Sequence, residues 1–285
     1  MYSGRARRQR TGNWFIRGLG CLTQFVALVF ILLLLYYGSY LLLRGPIPAR
    51  PVVIAHRGDS AHAPENTLAA FRSAIDAGAD WLEMDVQVSA DGHLIVIHDT
   101  TVDRTTNGSG RVADLTLVQL QALDAGNGEQ IPAFADVLAL ASAANIPLMA
   151  EAKSPALYPG LEMKIVEALN GASYAELAVV QSFDSTSLTR LHEIAPNQPL
   201  CALYGLGHFD LNEAPPGAAT AVCPMAEMVL LYPWMLRQAH DEGRKVYVWF
   251  GPLEHPWTIR LLVEFGADGV IADDPGLVVA VLQSR

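Results

Sequence analysis

Lysine is almost absent from this chain of 285 residues, and arginine supplies most of its positive charge. Charged residues of all kinds make up only 17%, and the formal net charge is −10 at neutral pH. That balance excludes a nucleic-acid-binding surface, which needs a basic patch or stripe. No internal repeat and no low-complexity tract interrupts the sequence, so repeat architectures drop out. Cysteine is also scarce. Cys21 falls in an apolar N-terminal run, which leaves Cys201 and Cys223. Both sit in apolar β-like runs where buried free thiols are ordinary, and both would be available for pairing in an oxidising compartment. The sequence leaves these two readings open.

What is abundant is apolar: 51% of the residues are hydrophobic, enough for one large core of the size that single-domain α/β barrels build. The first part of that apolar content is a separate object. Arg5, Arg7, Arg8, Arg10 and Arg17 precede a stretch from Gly18 to Leu43 without a charged residue. A membrane-crossing helix needs about 20 apolar residues, whereas the core of a cleavable signal peptide has about 7–15. Tyr36, Tyr37 and Tyr40 near the end of the run fit an interfacial aromatic belt. The expectation is an uncleaved transmembrane signal anchor over 18–43, behind a basic cytoplasmic segment, 1–17. Five arginines before the span against Arg44 and Arg50 after it place the N-terminus in the cytoplasm and export the rest. Gly45-Pro46-Ile47-Pro48 stiffens a short linker, 44–50, and the main domain then covers 51–285.

Beyond residue 50, strand-like and helix-like patterns alternate. Apolar runs occur at 52–55, 81–88, 94–97, 147–152, 177–181, 200–204, 219–223, 245–250 and 269–272, with helical stretches between most of them. Repeated βα units predict a parallel sheet, and this many in one domain predict a (β/α)8 TIM-type barrel. Nine runs exceed eight strands. Asp91-Gly92 removes the surplus by making 94–97 the return strand of a hairpin. Residues 99–130 interrupt the βα alternation, and their polar, glycine-rich composition fits either a covering loop or an ordinary surface connection.

Chemistry concentrates between Ile54 and Asp99. His56-Arg57, Glu65-Asn66, Glu83-x-Asp85 and His98-Asp99 all fall there, most at the ends of β-runs. Alternation puts Glu83 and Asp85 on one strand face. If Asp91-Gly92 is a two-residue loop, Asp85 pairs with His98, and directly opposed residues share a face. One Glu-x-Asp on a strand is usually just a solvated face, and one histidine after an apolar run is usually structural. Four such clusters in one short stretch are not explained that way. Carboxylate oxygens suit a hard cation such as Ca²⁺ or Mg²⁺, and an imidazole beside them suits proton transfer near neutral pH.

At these residues the sequence resembles the glycerophosphodiester phosphodiesterase family. The matching pieces are His56-Arg57-Gly58, Pro64-Glu65-Asn66-Thr67, Glu83-x-Asp85-Val86, Asp91-Gly92, His98-Asp99 and Arg104-Thr105-Thr106. They continue through Glu151-x-Lys153, Gln181-Ser182-Phe183, Val248-Trp249 and Gly266-Ala267-Asp268-Gly269…Asp273. The resemblance implies a barrel with an insertion over its mouth. It also implies a metal site of Glu83, Asp85 and Glu151, and His56 and His98 as general acid and base in an order left open. Arg57 is expected on phosphate, Trp249 on the pocket wall, and Lys153 either on phosphate or against the acidic cluster. Glu65 is expected at substrate or metal-bound water, or else as a cap for a helix starting near Asn66. Where the family usually continues with a polar segment containing Asn, this chain has Phe250-Gly251-Pro252, which bears on the pocket rim and the alcohol accepted. The implied reaction is metal-dependent hydrolysis of glycerophosphodiesters to sn-glycerol 3-phosphate and an alcohol. The other enzymatic reading is a lysophospholipase D acting on lysolipids at the membrane. An inactive binding module is disfavoured because His56, His98 and all three acidic positions are present. His62, His208, His240 and His255 match no motif and read as surface or structural residues.

Overall fold

The structure is a computed structural model that describes residues 8–209, 211 and 219–284, in two compact units, Met1–Gly45 and Pro46–Arg285. Arg5 and Arg7 of the basic segment lie outside the described residues. The first unit is one helix, Arg8–Leu43. Its portion Cys21–Leu43 has a mean hydropathy of 2.4 and exposes Phe25, Phe30 and a run of leucines. It is long and apolar enough to cross a membrane, a property that N-terminal signal sequences share.

The second unit is a closed barrel. Its strands are β1 (Val52–Ala55), β2 (Trp81–Val88), β3 (Leu94–Val96), β4 (Leu148–Ala152), β5 (Ala178–Ser182), β6 (Leu200–Tyr204), β7 (Ala221–Pro224), β8 (Lys245–Trp249) and β9 (Gly269–Ala272). Eight of them run parallel in the order β1-β9-β8-β7-β6-β5-β4-β2, and β1 pairs again with β2 to close the ring. β3 pairs antiparallel with the upper end of β2, as a return strand outside the ring. Helices lie between the strands, including Leu68–Asp76, Phe134–Ala144, Leu161–Gly171, Ser185–Ile194, Trp234–Asp241 and Pro256–Phe265. The barrel interior holds Ile54, Met149, Val179, Cys201, Leu203, Cys223, Tyr247 and Ile271. Each strand's next inward position lies two residues further on. The apolar floor of Ile54, Trp81, Met149, Val179 and Ile271 therefore gives way upward to His56, Glu83, Glu151, Gln181 and Asp273.

Cys201 and Cys223, on the adjacent strands β6 and β7, form a disulfide across the barrel interior with Cα atoms 6.1 Å apart. That settles the choice the sequence left open. Residues 99–130 fold over a small core of their own, Val102, Val112, Leu120 and Ala125, packed on Ile95 and Ile97.

The hairpin register differs from the expectation by one residue. Val86 pairs with Val96 and Val88 with Leu94, so Asp85 is not opposed by His98. Ser89 N–H donates to the His93 carbonyl, and the loop is Ala90-Asp91-Gly92 with Gly92 left-handed at φ +85°. A turn followed by a left-handed residue is the usual three-residue hairpin loop. The Asp-Gly pair marks its end and is not the whole of it.

Candidate active site

The mouth of the barrel is assembled from strand ends. His56 follows β1, and the chain then turns sharply: Arg57 has φ +56° and Gly58 φ +82°. A Cβ at Gly58 would lie 2.6 Å from the Ala70 carbonyl carbon, so only glycine lets the turn sit against helix 68–76. Asn66 is also left-handed at φ +58°, which delays the helix to Leu68 and makes Thr67 its cap. The capping role considered for Glu65 is thereby excluded. Glu65 is instead clasped by Arg57 Nη1 at 2.9 Å and by two Arg104 nitrogens at 2.7 and 2.8 Å.

Glu83 and Asp85 on β2 and Glu151 on β4 are all buried, and each offers one oxygen within 4.8 Å of the others. Asp85 and Glu151 are register partners on adjacent parallel strands, so the backbone itself fixes the cluster. Each carboxylate is further held. Gln181 Nε2 and the Arg57 backbone N–H donate to Glu83, both at 2.9 Å. Asn66 Nδ2 donates to Asp85 at 2.9 Å, and Lys153 Nζ lies 3.0 Å from Glu151 and 3.4 Å from Asp85. Of the two places considered for Lys153, the structure puts it in the acidic cluster. Burial drives Glu83 and Glu151 above the ordinary carboxylate range, and the neighbouring Asp85 charge adds to it. Burial acts on Asp85 in the same direction, but Lys153, Arg57 and His98 outweigh it and hold that carboxyl far below the usual range. Three buried hard-oxygen donors at this spacing, two of them reluctant to ionise alone, fit a divalent cation.

Two histidines flank the cluster in matching arrangements. His56 Nδ1 lies 2.6 Å from Asp273 Oδ1, and His98 Nδ1 lies 2.6 Å from Asp99 Oδ1. For His56 burial disfavours the imidazolium, but Asp273 and Glu83 overcome it and raise the pKa. For His98 burial wins over Asp85, with Lys153 and Arg57 adding to the lowering. Arg104 donates to Asp99 at 2.6 Å as well as to Glu65, tying the insertion to the mouth. Among the described residues Arg57 Nε makes no hydrogen bond, although it is buried and 3.3 Å from Asp85 Oδ2.

Trp249 packs on the upper barrel interior and donates its indole N–H to the Tyr204 carbonyl at 3.2 Å. Its ring meets Phe183 edge-on at 6.0 Å, and Lys153 Nζ is 5.9 Å from the Phe183 ring. A cavity of about 670 Å³ opens here, lined by Glu151, Lys153, Leu157, Ser182 and Phe183. The unusual segment after Trp249 is pinned by Glu227, which accepts the backbone N–H groups of Gly251 and Leu253.

Several residues that matter here lay inside recognised motifs without a role: Asn66, Asp99, Arg104, Gln181 and Asp273. Gln87 lay in no motif at all. Its Nε2 donates to the carbonyls of Ile97, His98 and Asp99 at 2.9, 2.9 and 2.8 Å, and so holds the turn that carries His98. The one available signal was a polar residue in the inward phase of a buried strand.

Fold and site together define a (β/α)8-barrel enzyme of the metal-assisted hydrolase class. Residues 56–277 match the model of the glycerophosphoryl diester phosphodiesterase family. A glycerophosphodiester phosphodiesterase of Caldanaerobacter subterraneus subsp. tengcongensis is 36% identical over 247 residues, covering 82% of this chain and 98% of that protein. One of Bacillus subtilis is 31% identical, covering 81% and 86%. A phosphodiesterase of Oleispira antarctica, solved in complex with the product sn-glycerol-3-phosphate, superposes with a TM-score of 0.75 at 26% identity, over 82% of this chain and 97% of that one. The chain belongs to the glycerophosphoryl diester phosphodiesterase family.

Proposed function

We infer that this chain hydrolyses glycerophosphodiesters to sn-glycerol 3-phosphate and an alcohol. The observation that carries the reading is a buried trio of carboxylates between two carboxylate-held histidines, at the mouth of a barrel of this family. Glu83, Asp85 and Glu151 would hold the cation, and the all-oxygen donor set favours Ca²⁺ or Mg²⁺ over softer metals. A bound cation supplies charge neutralisation at the non-bridging phosphate oxygens. Arg57 complements it, because a guanidinium matches phosphate geometry and its Nε has no hydrogen bond to give up. His56 and His98 divide the proton work: one takes the proton of the attacking oxygen and the other protonates the departing alcohol oxygen as its bond to phosphorus breaks. Lys153 balances the acidic cluster at the edge reached by phosphate, and Glu65 keeps Arg57 in place. Trp249 walls the alcohol side.

A second reading, a lysophospholipase D activity, draws support from Leu157 and Phe183, which are half-exposed on the cavity wall beside Glu151. Turnover of soluble glycerophosphodiesters against lysolipids by the purified chain separates the two. The leading reading expects the soluble diesters to be the better substrates, with activity lost to chelator and restored by Ca²⁺ or Mg²⁺. Full activity in excess chelator, with no tightly held metal, would remove the metal site from the account.

Residues 1–17 would be cytoplasmic, 18–43 the membrane anchor, 44–50 a linker and 51–285 the exported catalytic domain. Protease added to intact spheroplasts should then cut the catalytic domain. Protection until lysis would reverse the orientation.

A further inference from the structure

The two histidines are held alike, but their partners come from different places. Asp99 follows His98 directly in the chain. Asp273 is 217 residues from His56 and meets it only because the barrel closes. β1 and β9 are the first strand and the last, and their pairing runs from Val52–Gly269 to Ala55–Ala272. The ladder continues one step beyond the strands, where His56 N–H donates to the Ala272 carbonyl at 2.8 Å. His56 and Asp273 are thus neighbouring inward positions on adjacent strand ends.

Asp273 is itself fixed from three sides. Its backbone N–H and that of Asp274 both donate to the Glu254 carboxylate, at 2.8 and 2.9 Å. Its carbonyl accepts from Ala61 N–H at 3.0 Å. Its Oδ1 lies within reach of the Ser60 hydroxyl at 3.0 Å as well as of His56 Nδ1. A carboxylate can only accept, so the 2.6 Å contact requires the proton on Nδ1. Nε2 then carries the lone pair of the neutral ring, and among the described residues no hydrogen bond engages it.

We propose that Asp273 is a positioning residue: it fixes the His56 ring and its Nδ1–H tautomer, leaving Nε2 as the nitrogen that exchanges a proton with the substrate. This rests on the reading of His56 as a proton-transfer group. The contribution acts through His56, which makes Asp273 a positioning residue and not a catalytic one. Glu254 and Ser60 fix the turn on which Asp273 stands.

The test is Asp273→Asn in the full chain, purified in detergent with ¹⁵N-labelled histidine, beside wild type and His56→Ala. The isosteric amide keeps the backbone contacts to Ala61 and Glu254 and presents an N–H₂ group that favours an unprotonated Nδ1. The His56 ring nitrogen signals are assigned by their loss in His56→Ala. Wild type should show Nδ1 protonated, and Asp273→Asn should move the proton to Nε2. Its kcat should fall by about 10²-fold or more with KM little changed, the pattern of a proton-transfer group held wrongly. Asp273→Glu should recover part of the lost kcat. An unchanged His56 tautomer in Asp273→Asn overturns the proposal. So does a changed tautomer with kcat within tenfold of wild type, outside the range of acid–base catalysis. Failure of the underlying reading looks different, because His56→Ala would then itself turn over normally.

Discussion

Gln87 lies outside every recognised motif, and its replacement gives the sharpest test of how the site is built. The side chain is fully buried on β2, with Nε2 shared among three carbonyls and Oε1 accepting the Tyr158 hydroxyl at 2.7 Å. Gln87→Leu keeps most of the volume and removes every hydrogen bond. The Ile97 carbonyl is buried and loses its side-chain donor, and the Tyr158 hydroxyl loses its acceptor. Each buried group left unpaired costs about 1–3 kcal/mol. The His98 and Asp99 carbonyls belong to half-buried residues and recover water. The sum is a loss of about 2–6 kcal/mol, which for a domain of this size lowers Tm by about 4–24 °C. Scanning calorimetry or a thermal melt reads it directly. The turn carrying His98 also loses its tether, so kcat should fall by more than the loss of folded protein explains. Tyr158→Phe is the control: it leaves the three carbonyl contacts in place and only Gln87 Oε1 unpaired, so it should cost about 1–3 kcal/mol with kcat near wild type. A Gln87→Leu Tm within about 1 °C of wild type, the range of a neutral surface change, would refute the reasoning.

Other expectations are simpler to state. His56→Ala and His98→Ala should each lower turnover by about 10²–10⁴-fold, and the double variant should be little worse than the poorer single one in steady-state assays, because both serve one displacement. Arg104 and His98 hold Asp99 down to about 2 against the opposing effect of burial, so this carboxylate stabilises the fold above its unfolded value of about 4 and stops doing so as the pH falls towards 2. Arg104→Gln should therefore move the acid-unfolding midpoint, followed by circular dichroism, to higher pH; an unmoved midpoint would show that the ion pairs at the insertion carry no stability. The Cys201–Cys223 bridge closes a 22-residue separation, for which chain entropy gives about 3 kcal/mol. Reduction should lower stability by about that amount, and thiol labelling of the unfolded, unreduced chain should find Cys21 alone.

The barrel was legible because its signal is repetitive. Nine apolar runs in a βα rhythm correspond to nine strands within a residue or two, and the surplus run is the return strand β3. Helices 226–231 and 275–283 leave little helical pattern in the sequence, the first because it is only six residues long and the second because it is apolar through most of its length. Glu83 and Asp85 were legible from alternation within β2, which needs no knowledge of the rest of the chain, whereas Glu151 on β4 came only with the family resemblance. Asp273 was not, since only closure of the ring brings it to His56. The disulfide was undecided for the same reason: nothing local says that Cys201 and Cys223 occupy adjacent inward positions on neighbouring strands.

The hairpin shows how a local rule can fail while the groups it concerned still meet. A two-residue Asp-Gly loop would have set His98 opposite Asp85 by pairing alone. The observed three-residue loop shifts the register by one, which by alternation would turn His98 to the other face. β3 stops at Val96, before that consequence is reached. Ile97 N–H still donates to the Asp85 carbonyl, and then the chain leaves the ladder and wraps around the Gln87 amide. His98 is thereby close enough to Asp85 for the two charges to act on each other, and Asp99 is placed to take Nδ1. A side-chain amide has replaced the ladder as the positioning device. Its reach depends on a glutamine two residues past Asp85 in the same inward phase, so β2 carries two of the three candidate metal ligands as well as the clamp for His98.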